Sequence, residues 1–240
     1  MRRCLIILFF GLSLVSCAHR TVPKENLDTI KRIAVLSLLS DKIQFLQIGT
    51  TVFNNVENYH SVKEWEINHY IEGLIKNELA AMGQFKVMEV EFNRKKMYGI
   101  YRGVDGVRSD HDTSNVEDYL AKLASSSNID ALILVARRYV VLESPHRMVG
   151  GYTLYNRSLL GAKLMTQIYL TLVVEVVDLR TVKLLARRGI SVQKTIPNSY
   201  WQEEIEDLTD DQVLFIKNTI FDKLREEVPL AVKKLMNKSD

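Results

Sequence analysis

Residues 130–136 read Asp-Ala-Leu-Ile-Leu-Val-Ala, and this short apolar run decides the fold. A β-strand turns successive side chains to opposite faces of its sheet, and this run is apolar at both sets of positions. Strands of that kind lie in the middle of a sheet that helices cover on both faces. The run therefore predicts a central strand in an α/β protein.

Five further stretches have the pattern of strands. Residues 31–39 form another compact apolar run bounded by polar residues. Residues 43–53 are rich in β-branched and aromatic residues, and residues 85–92 alternate between apolar and polar. Residues 163–178 and 182–196 also alternate and are separated by a short polar turn, which predicts a long antiparallel hairpin with one buried side.

Helical patterns separate several of these strands. Residues 64–82 carry apolar side chains at spacings of three and four, which predicts a helix with one buried face. Ser114 with Glu117, and Thr209 with Gln212, have the spacing of capping boxes and mark two further helix starts. The predicted order is β-β-α-β-α-β-β-β-α, a mixed α/β sheet of about six strands with three main helices, in two or three layers.

The N-terminal segment has the composition of a secretory signal peptide. Arg2 and Arg3 precede an apolar run over residues 5–15, and small residues follow. The run has 11 residues, about half of the ~20 that a membrane-spanning helix needs. We therefore expect residues 1–16 to be a cleaved signal peptide.

Residues 14–17 read Leu-Val-Ser-Cys and resemble the lipobox of bacterial lipoproteins. The resemblance implies cleavage before Cys17, a diacylglyceryl thioether on its sulfur and an N-acylated (palmitoylated) new terminus. By the sorting rule of enteric bacteria, Ala18 favours the outer membrane. The sequence thus predicts a lipid-anchored protein on the periplasmic face of the outer membrane.

Cleavage at this position changes the charge and the cysteine count. Without Arg2 and Arg3, 30 Lys and Arg residues face 29 Asp and Glu residues, a formal net charge of +1. This near-neutral balance removes the basic character expected of a nucleic-acid-binding protein. With Cys4 also removed, Cys17 is the one remaining cysteine, which leaves no internal disulfide and no thiol chemistry. Residues 17–27 are expected to form the lipidated terminus and a short linker, and residues 28–237 a single periplasmic domain.

The order of elements resembles one group of periplasmic α/β domains. The resemblance rests on four stretches of the sequence: residues 32–36 (Arg-Ile-Ala-Val-Leu), residues 85–90, residues 129–135 and the hairpin turn at residues 177–181. Together they are similar to the domain shared by the curli secretion-channel lipoprotein, the lipoprotein activators of penicillin-binding proteins and the amino-terminal domain of the Tol translocation protein. The resemblance implies a non-enzymatic protein that works by assembly or by binding a partner.

The sequence contains no signature of a hydrolase, a nucleotide-binding loop or a zinc protease. Asp110, His111 and Asp112 lie in a polar loop, and an envelope hydrolase using residues 105–112 is the weakest of our hypotheses. The five histidines are scattered, with no pair at ligand spacing on one element. We therefore expect no enzyme activity, no cofactor and no metal site.

Two features are candidates for binding. Adjacent arginines, Arg137-Arg138 and Arg187-Arg188, are expected to place one guanidinium of each pair toward the packed face, with Glu143 or Glu175 as counter-ion. They support a second hypothesis, a periplasmic ligand or peptide sensor.

Residues 143–162 are expected to form a loop or extended arm, either a structural crossover or a partner-binding surface. Tyrosine and arginine are frequent at interface hot spots, so the partner-binding candidates are Arg147, Tyr152, Tyr155 and Arg157. The leading functional hypothesis is a non-catalytic envelope protein that binds a protein partner or self-associates in envelope assembly, secretion or cell-wall maintenance.

Overall fold

The computed structural model describes residues 21–101, 114–142 and 148–237. The expected signal peptide, Cys17, Arg147 and the loop at residues 105–112 lie outside these ranges.

The described residues form five α-helices and a sheet of nine strands. The helices are α1 (Lys24–Thr29), α2 (Ile67–Met82), α3 (Arg94–Tyr101), α4 (Ser114–Ser126) and α5 (Asp210–Met236). The strands are β1 (Arg32–Leu38), β2 (Lys42–Ile48), β3 (Val56–Ser61), β4 (Lys86–Val87), β5 (Ala131–Arg137), β6 (Tyr139–Val141), β7 (Met148–Leu159), β8 (Ala162–Asp178) and β9 (Lys183–Ile196).

The sheet is organised around β8, which has 17 residues. One side of β8 pairs antiparallel with β9 along most of its length. Two strands share the other side of β8: β5 pairs with the C-terminal part of β8, and β7 pairs with its N-terminal part. The sheet therefore divides into two branches, β5-β1-β4 at one end and β7-β2-β3 at the other.

Two apolar cores lie on opposite faces of the sheet. The larger packs α2 and α5 against one face, and alternate residues of β5 such as Ile133 and Val135 belong to it. The smaller packs Met97 of α3 and Leu120 of α4 against the other face, together with Leu132 and Leu134 of β5. The sheet thus has helices on both faces at the β5 branch, which is a three-layer arrangement.

Several predicted elements are confirmed. Strand β5 is buried at six consecutive positions, as its two-sided apolar pattern requires. Hairpin β8-β9 forms as expected, and α2 ends at Gly83, whose φ of +67° suits a residue without a side chain. Thr209 and Gln212 form the predicted capping box at the start of α5, with Gln212 N donating to Thr209 Oγ1 at 3.3 Å.

The strand count of six is wrong, because the sheet has nine strands among the described residues. Strands β3, β6 and β7 were not expected, and β4 contains two residues of the stretch 85–92. The largest error is β7, taken from sequence as part of a loop or arm. It is a strand because backbone pairing to β2 on one side and β8 on the other satisfies its hydrogen bonds.

The helix count of three is also too low. Helix α3 lies where the sequence predicted a loop, and α1 lies within the predicted linker and its junction with the domain. Val22 and Leu27 are buried in the larger core, and Val22 N donates to Leu235 O at 2.9 Å. The stretch between Cys17 and the packed domain is therefore shorter than the predicted 17–27 linker.

Buried polar side chains of α2 hold the C-terminal end of β1. Asn68 accepts a hydrogen bond from Leu39 N at 2.9 Å and donates to Leu39 O at 3.0 Å. Glu72 accepts from Ser37 N at 2.9 Å and pairs with Arg94 of α3 at 2.6 Å. These bonds satisfy backbone groups where the strand leaves the sheet, so they join both helix layers to β1.

Candidate functional site

The turn between β7 and β8 places an apolar side chain in an unusual position. Leu159 pairs with Ala162, so Leu160 and Gly161 form a two-residue hairpin turn. Their φ angles are +50° and +82°, the conformation that favours Asn or Gly at both places. Leu160 lacks that freedom, and its residue is 88% exposed. The turn therefore exposes a leucine side chain to solvent although the positive φ of this residue is energetically unfavourable.

A second loop lies against this turn. Leu160 N donates to Thr50 Oγ1 at 2.9 Å, which joins the β7-β8 turn to the loop between β2 and β3. That loop is closed by Gly49 N donating to Asn55 Oδ1 at 2.9 Å. Between these residues Phe53 is 93% exposed. The two loops therefore meet at one end of the sheet and carry the two most exposed large apolar residues among those described.

We call this end the apolar tip. Its members are the exposed apolar residues of the two loops and of the first residues of β8, namely Phe53, Leu159, Leu160 and Leu164. Single exposed apolar residues are ordinary on protein surfaces, but a cluster marks a contact site for another protein or for a membrane. The sequence analysis did not single out any of them. The one local signal was Gly161, a turn residue that directly precedes the alternating run at residues 163–178.

The N-terminal end of the domain lies at the opposite end of β8. Arg180 follows β8 and donates to Thr29 of α1 at 3.1 Å, which places α1 beside the end of that strand. The apolar tip lies beyond Ala162, at the beginning of the strand. With 17 residues and ~3.3 Å per residue, β8 separates the two ends by about 50 Å.

A polar network lies at the tip branch of the sheet, where β2, β3 and β7 meet. Gln44 donates to Glu57 Oε1 at 2.9 Å and accepts from Thr153 Oγ1 at 2.9 Å. Tyr59 also donates to Glu57, at 2.7 Å. Burial and the neighbouring Glu57 carboxylate raise the pKa of Tyr59 well above its usual range, because both disfavour the phenolate. These hydrogen bonds satisfy the polar side chains and link β2, β3 and β7, so we assign the network a structural role.

The predicted partner-binding residues do not form one exposed surface. Tyr152 and Tyr155 are each 2% exposed, on opposite faces of β7, so neither ring lies on a surface that a partner could reach; a binding role for them stays a prediction. They are buried because β7 is an inner strand and not an arm. Arg157 is exposed, and a binding role for it stays a prediction.

The arginine pairs match the expectation only in part, because the Arg187 side chain is 52% exposed and Arg138 is exposed as well. Arg187 Nη2 lies 2.9 Å from Glu175 Oε1, which confirms that carboxylate as a counter-ion. The guanidinium of Arg137 stacks over the ring of Tyr139 at 4.2 Å. Arg138 lies across Gly189, where an added Cβ would come within 2.1 Å of its Nη1. Glu143, the other expected counter-ion, lies outside the described residues.

One group within the described ranges has the composition of a metal site, formed by His60, Glu204 and Glu206. The histidine and the glutamates come from distant parts of the chain, which the sequence analysis did not connect. Across the described residues, no helix combines the length and apolar character that crossing a membrane requires.

No family model and no curated protein matches this chain. Among solved structures it is similar to the LpoB C-terminal domain from Salmonella enterica, at 9% identity over 68% of this chain and 83% of that one, with a TM-score of 0.25. A hypothetical protein from Chlamydia trachomatis matches at 10% identity over 85% and 98%, with a TM-score of 0.35. A lipoprotein from Neisseria meningitidis matches at 10% over 82% and 99%, with a TM-score of 0.27. With TM-scores this low, the three likenesses carry no argument about function.

Proposed function

We propose that this protein is a lipid-anchored component of the bacterial cell envelope that acts without catalysis, by binding another protein through its apolar tip. The observation that carries the proposal is the pair Leu160 and Phe53, 88% and 93% exposed on two adjoining loops. Envelope assembly, secretion and cell-wall maintenance are the processes in which such a contact would serve.

The backbone conformation of Leu160 favours a role for this residue in binding a partner, because it does not help the domain to fold. A left-handed conformation costs a residue with a Cβ roughly 1–2 kcal/mol, and asparagine or glycine would avoid much of that cost. Strained backbone conformations are concentrated at functional sites such as ligand clamps and switch regions. Burying the two side chains against another protein would recover apolar surface that the isolated domain leaves in water.

The anchor is the second part of the proposal. Lipidation of Cys17 would leave five residue steps to Val22, the first residue buried in the core. Five steps reach at most about 18 Å, so the N-terminal end of the domain would stay close to its membrane. The apolar tip would then lie up to about 50 Å away, within the periplasm.

The anchor has a direct test. Mass spectrometry of the mature N-terminus should find a diacylated, N-acylated Cys17, and Cys17→Ser should move the protein to the soluble periplasmic fraction. An intact Met1, or an unmodified Cys17 in a soluble wild-type protein, would contradict the anchor. Membrane fractionation then separates outer from inner membrane.

The tip is tested by site-specific photocrosslinking in cells. A crosslinking amino acid at Phe53 or Leu164 should capture a defined protein partner or a second copy. The control is Leu184 on β9, which is 37% exposed and pairs with Val177 near the C-terminal end of β8, at the opposite end of that strand from the tip. Leu160→Asn should abolish capture while the domain stays folded.

Capture at Leu184 equal to that at Leu164, or capture that survives Leu160→Asn, would refute the tip as the contact site. Crosslinks at the tip to lipid alone would show instead that the tip inserts into a membrane.

A further inference from the structure

His60 is a buried side chain that makes no hydrogen bond to any other described residue. It lies on edge strand β3, is 7% exposed and packs edge-on against Phe45, with ring centroids 4.5 Å apart. Its Nε2 has no hydrogen-bond partner among the described residues. Its Nδ1 faces Glu204 and Glu206, at 3.7 and 3.9 Å from their nearest oxygens. Both distances are too long for a hydrogen bond.

The two glutamates come from the segment that leads into α5. They flank Ile205 at a single 3₁₀ turn, and both are exposed at the surface above His60. Asn58, two residues before His60 and thus on the same face of β3, donates to Glu204 Oε1 at 3.0 Å. The same amide donates to Glu203 O at 3.1 Å. Asn58 therefore holds one oxygen of Glu204 and leaves the other directed at His60.

We propose that His60, Glu204 and Glu206 bind a divalent transition-metal ion of the zinc class. Their ligand atoms all lie within 4.8 Å of one another. Zinc bonds of ~2.0–2.2 Å in a tetrahedron place ligand atoms about 3.4 Å apart. The histidine–glutamate separations of 3.7 and 3.9 Å must therefore shorten by up to about 0.5 Å, and the two glutamate oxygens, which lie within 4.8 Å, by up to about 1.4 Å. The two glutamate side chains are 55% and 76% exposed and are free to make that adjustment.

The chemistry of the ligands selects the class of metal. Two carboxylates and one neutral imidazole match the charge of a divalent cation, and imidazole suits zinc-like ions. Magnesium and calcium prefer sites made of oxygen ligands alone. The exposed side of the cluster leaves a fourth position to water. Asn58 supplies the outer hydrogen bond that commonly orients a carboxylate ligand.

A bound ion would tie the edge strand of the sheet to the segment before α5. The Asn58 hydrogen bonds join β3 to that segment, and Phe45 of the neighbouring strand β2 packs against Trp201, with ring centroids 5.8 Å apart. The metal adds a bond to the one buried histidine of this region. This metal cluster needs neither the lipid anchor nor the apolar tip.

The test is zinc binding to the purified, metal-free full chain. Calorimetry should give one zinc ion per chain, and a hundred-fold excess over the dissociation constant should raise the melting temperature by about 5–10 °C, with no comparable rise in magnesium. Glu204→Gln and Glu206→Gln should each weaken binding at least ten-fold. Glu203→Gln is the matched control, since it removes the same charge from the same segment outside the cluster, and it should bind as the wild type does.

Both glutamate variants change exposed side chains and keep the fold, so loss of binding reports on the site. No zinc-dependent shift in the wild type would overturn the proposal. A shift that persists in Glu204→Gln and Glu206→Gln would overturn it as well, because the ion would then be held by other residues.

Discussion

Asp130 joins the first residues of the two central parallel strands, β1 and β5. Its Oδ2 accepts hydrogen bonds from Lys31 N at 2.9 Å and Arg32 N at 2.8 Å, and its Oδ1 accepts from Arg32 Nη2 at 2.8 Å. The carboxylate is 9% exposed. The Arg32 guanidinium, followed by the two backbone donors, lowers the pKa of Asp130 to about 2.

Asp130→Ala should therefore destabilise the protein substantially. The change leaves two backbone donors without their acceptor, and hydrogen bonds to a charged group contribute about 1.5–3 kcal/mol each. Partial access of water reduces that sum, so we expect a loss of about 3 kcal/mol in the free energy of unfolding. In thermal melts this corresponds to a fall of roughly 6–12 °C. Urea unfolding followed by circular dichroism gives the free energy directly.

The pH dependence supplies a second measurement on the same residue. An aspartate has a pKa of about 3.9 in the unfolded chain, and the folded value is lower. The stabilisation is therefore fully present above about pH 4 and is lost as the pH falls through about 2. Asp130→Asn removes this contribution, so the stability gap between wild type and variant should narrow between pH 5 and pH 2.

Asp222 is the matched control, because it pairs with Arg225 at 3.0 Å but is 66% exposed. An exposed pair contributes little, so Asp222→Ala should cost under about 0.5 kcal/mol. The reasoning fails if Asp130→Ala destabilises no more than Asp222→Ala does. It also fails if the gap between wild type and Asp130→Asn stays constant from pH 6 to pH 2.

Three further substitutions test other local features. Leu160→Asn should raise the free energy of unfolding by about 0.5–1 kcal/mol in urea melts, because asparagine tolerates the positive φ of this turn; a loss would contradict the strain argument. Gly49→Ala should cost about 1–3 kcal/mol, because the new Cβ would lie 2.4 Å from Asn54 Cβ and 2.7 Å from Asn54 O; a neutral result would show that the loop relaxes freely. Thr209→Ala should lower the free energy of unfolding by about 1 kcal/mol, whereas Thr209→Ser should be as stable as the wild type, because serine keeps the hydroxyl that caps α5. Equal losses in both variants would contradict this role of the hydroxyl.

The predicted site depended on whether β7 was an arm or a strand. Its sequence contains two glycines and several polar residues, which is typical of a loop. In the structure the neighbouring strands supply hydrogen-bond partners for buried polar residues of β7: Thr153 Oγ1 donates to Gln44 of β2 at 2.9 Å, and Asn156 Nδ2 donates to Thr166 Oγ1 of β8 at 2.9 Å. No pattern within residues 148–159 indicates that Gln44 and Thr166 will lie beside this strand and supply these hydrogen bonds.

The sequence by itself determined the elements whose signal is local. Periodicity within β5, α2 and the β8-β9 hairpin identifies each, because burial of a strand or helix face acts on residues two to four positions apart. The N-terminal leader and the expected lipidation of Cys17 are likewise local, and both remain predictions.

Only the tertiary structure decided which distant groups meet. It divided the sheet into two branches at β8 and buried Tyr152 and Tyr155. It also joined the loop that carries Phe53 to the turn at Leu160 and placed His60 next to Glu204 and Glu206. Such contacts depend on which strands pair and in what register. That choice minimises the free energy of the whole sheet, so it is not contained in any single stretch of the sequence.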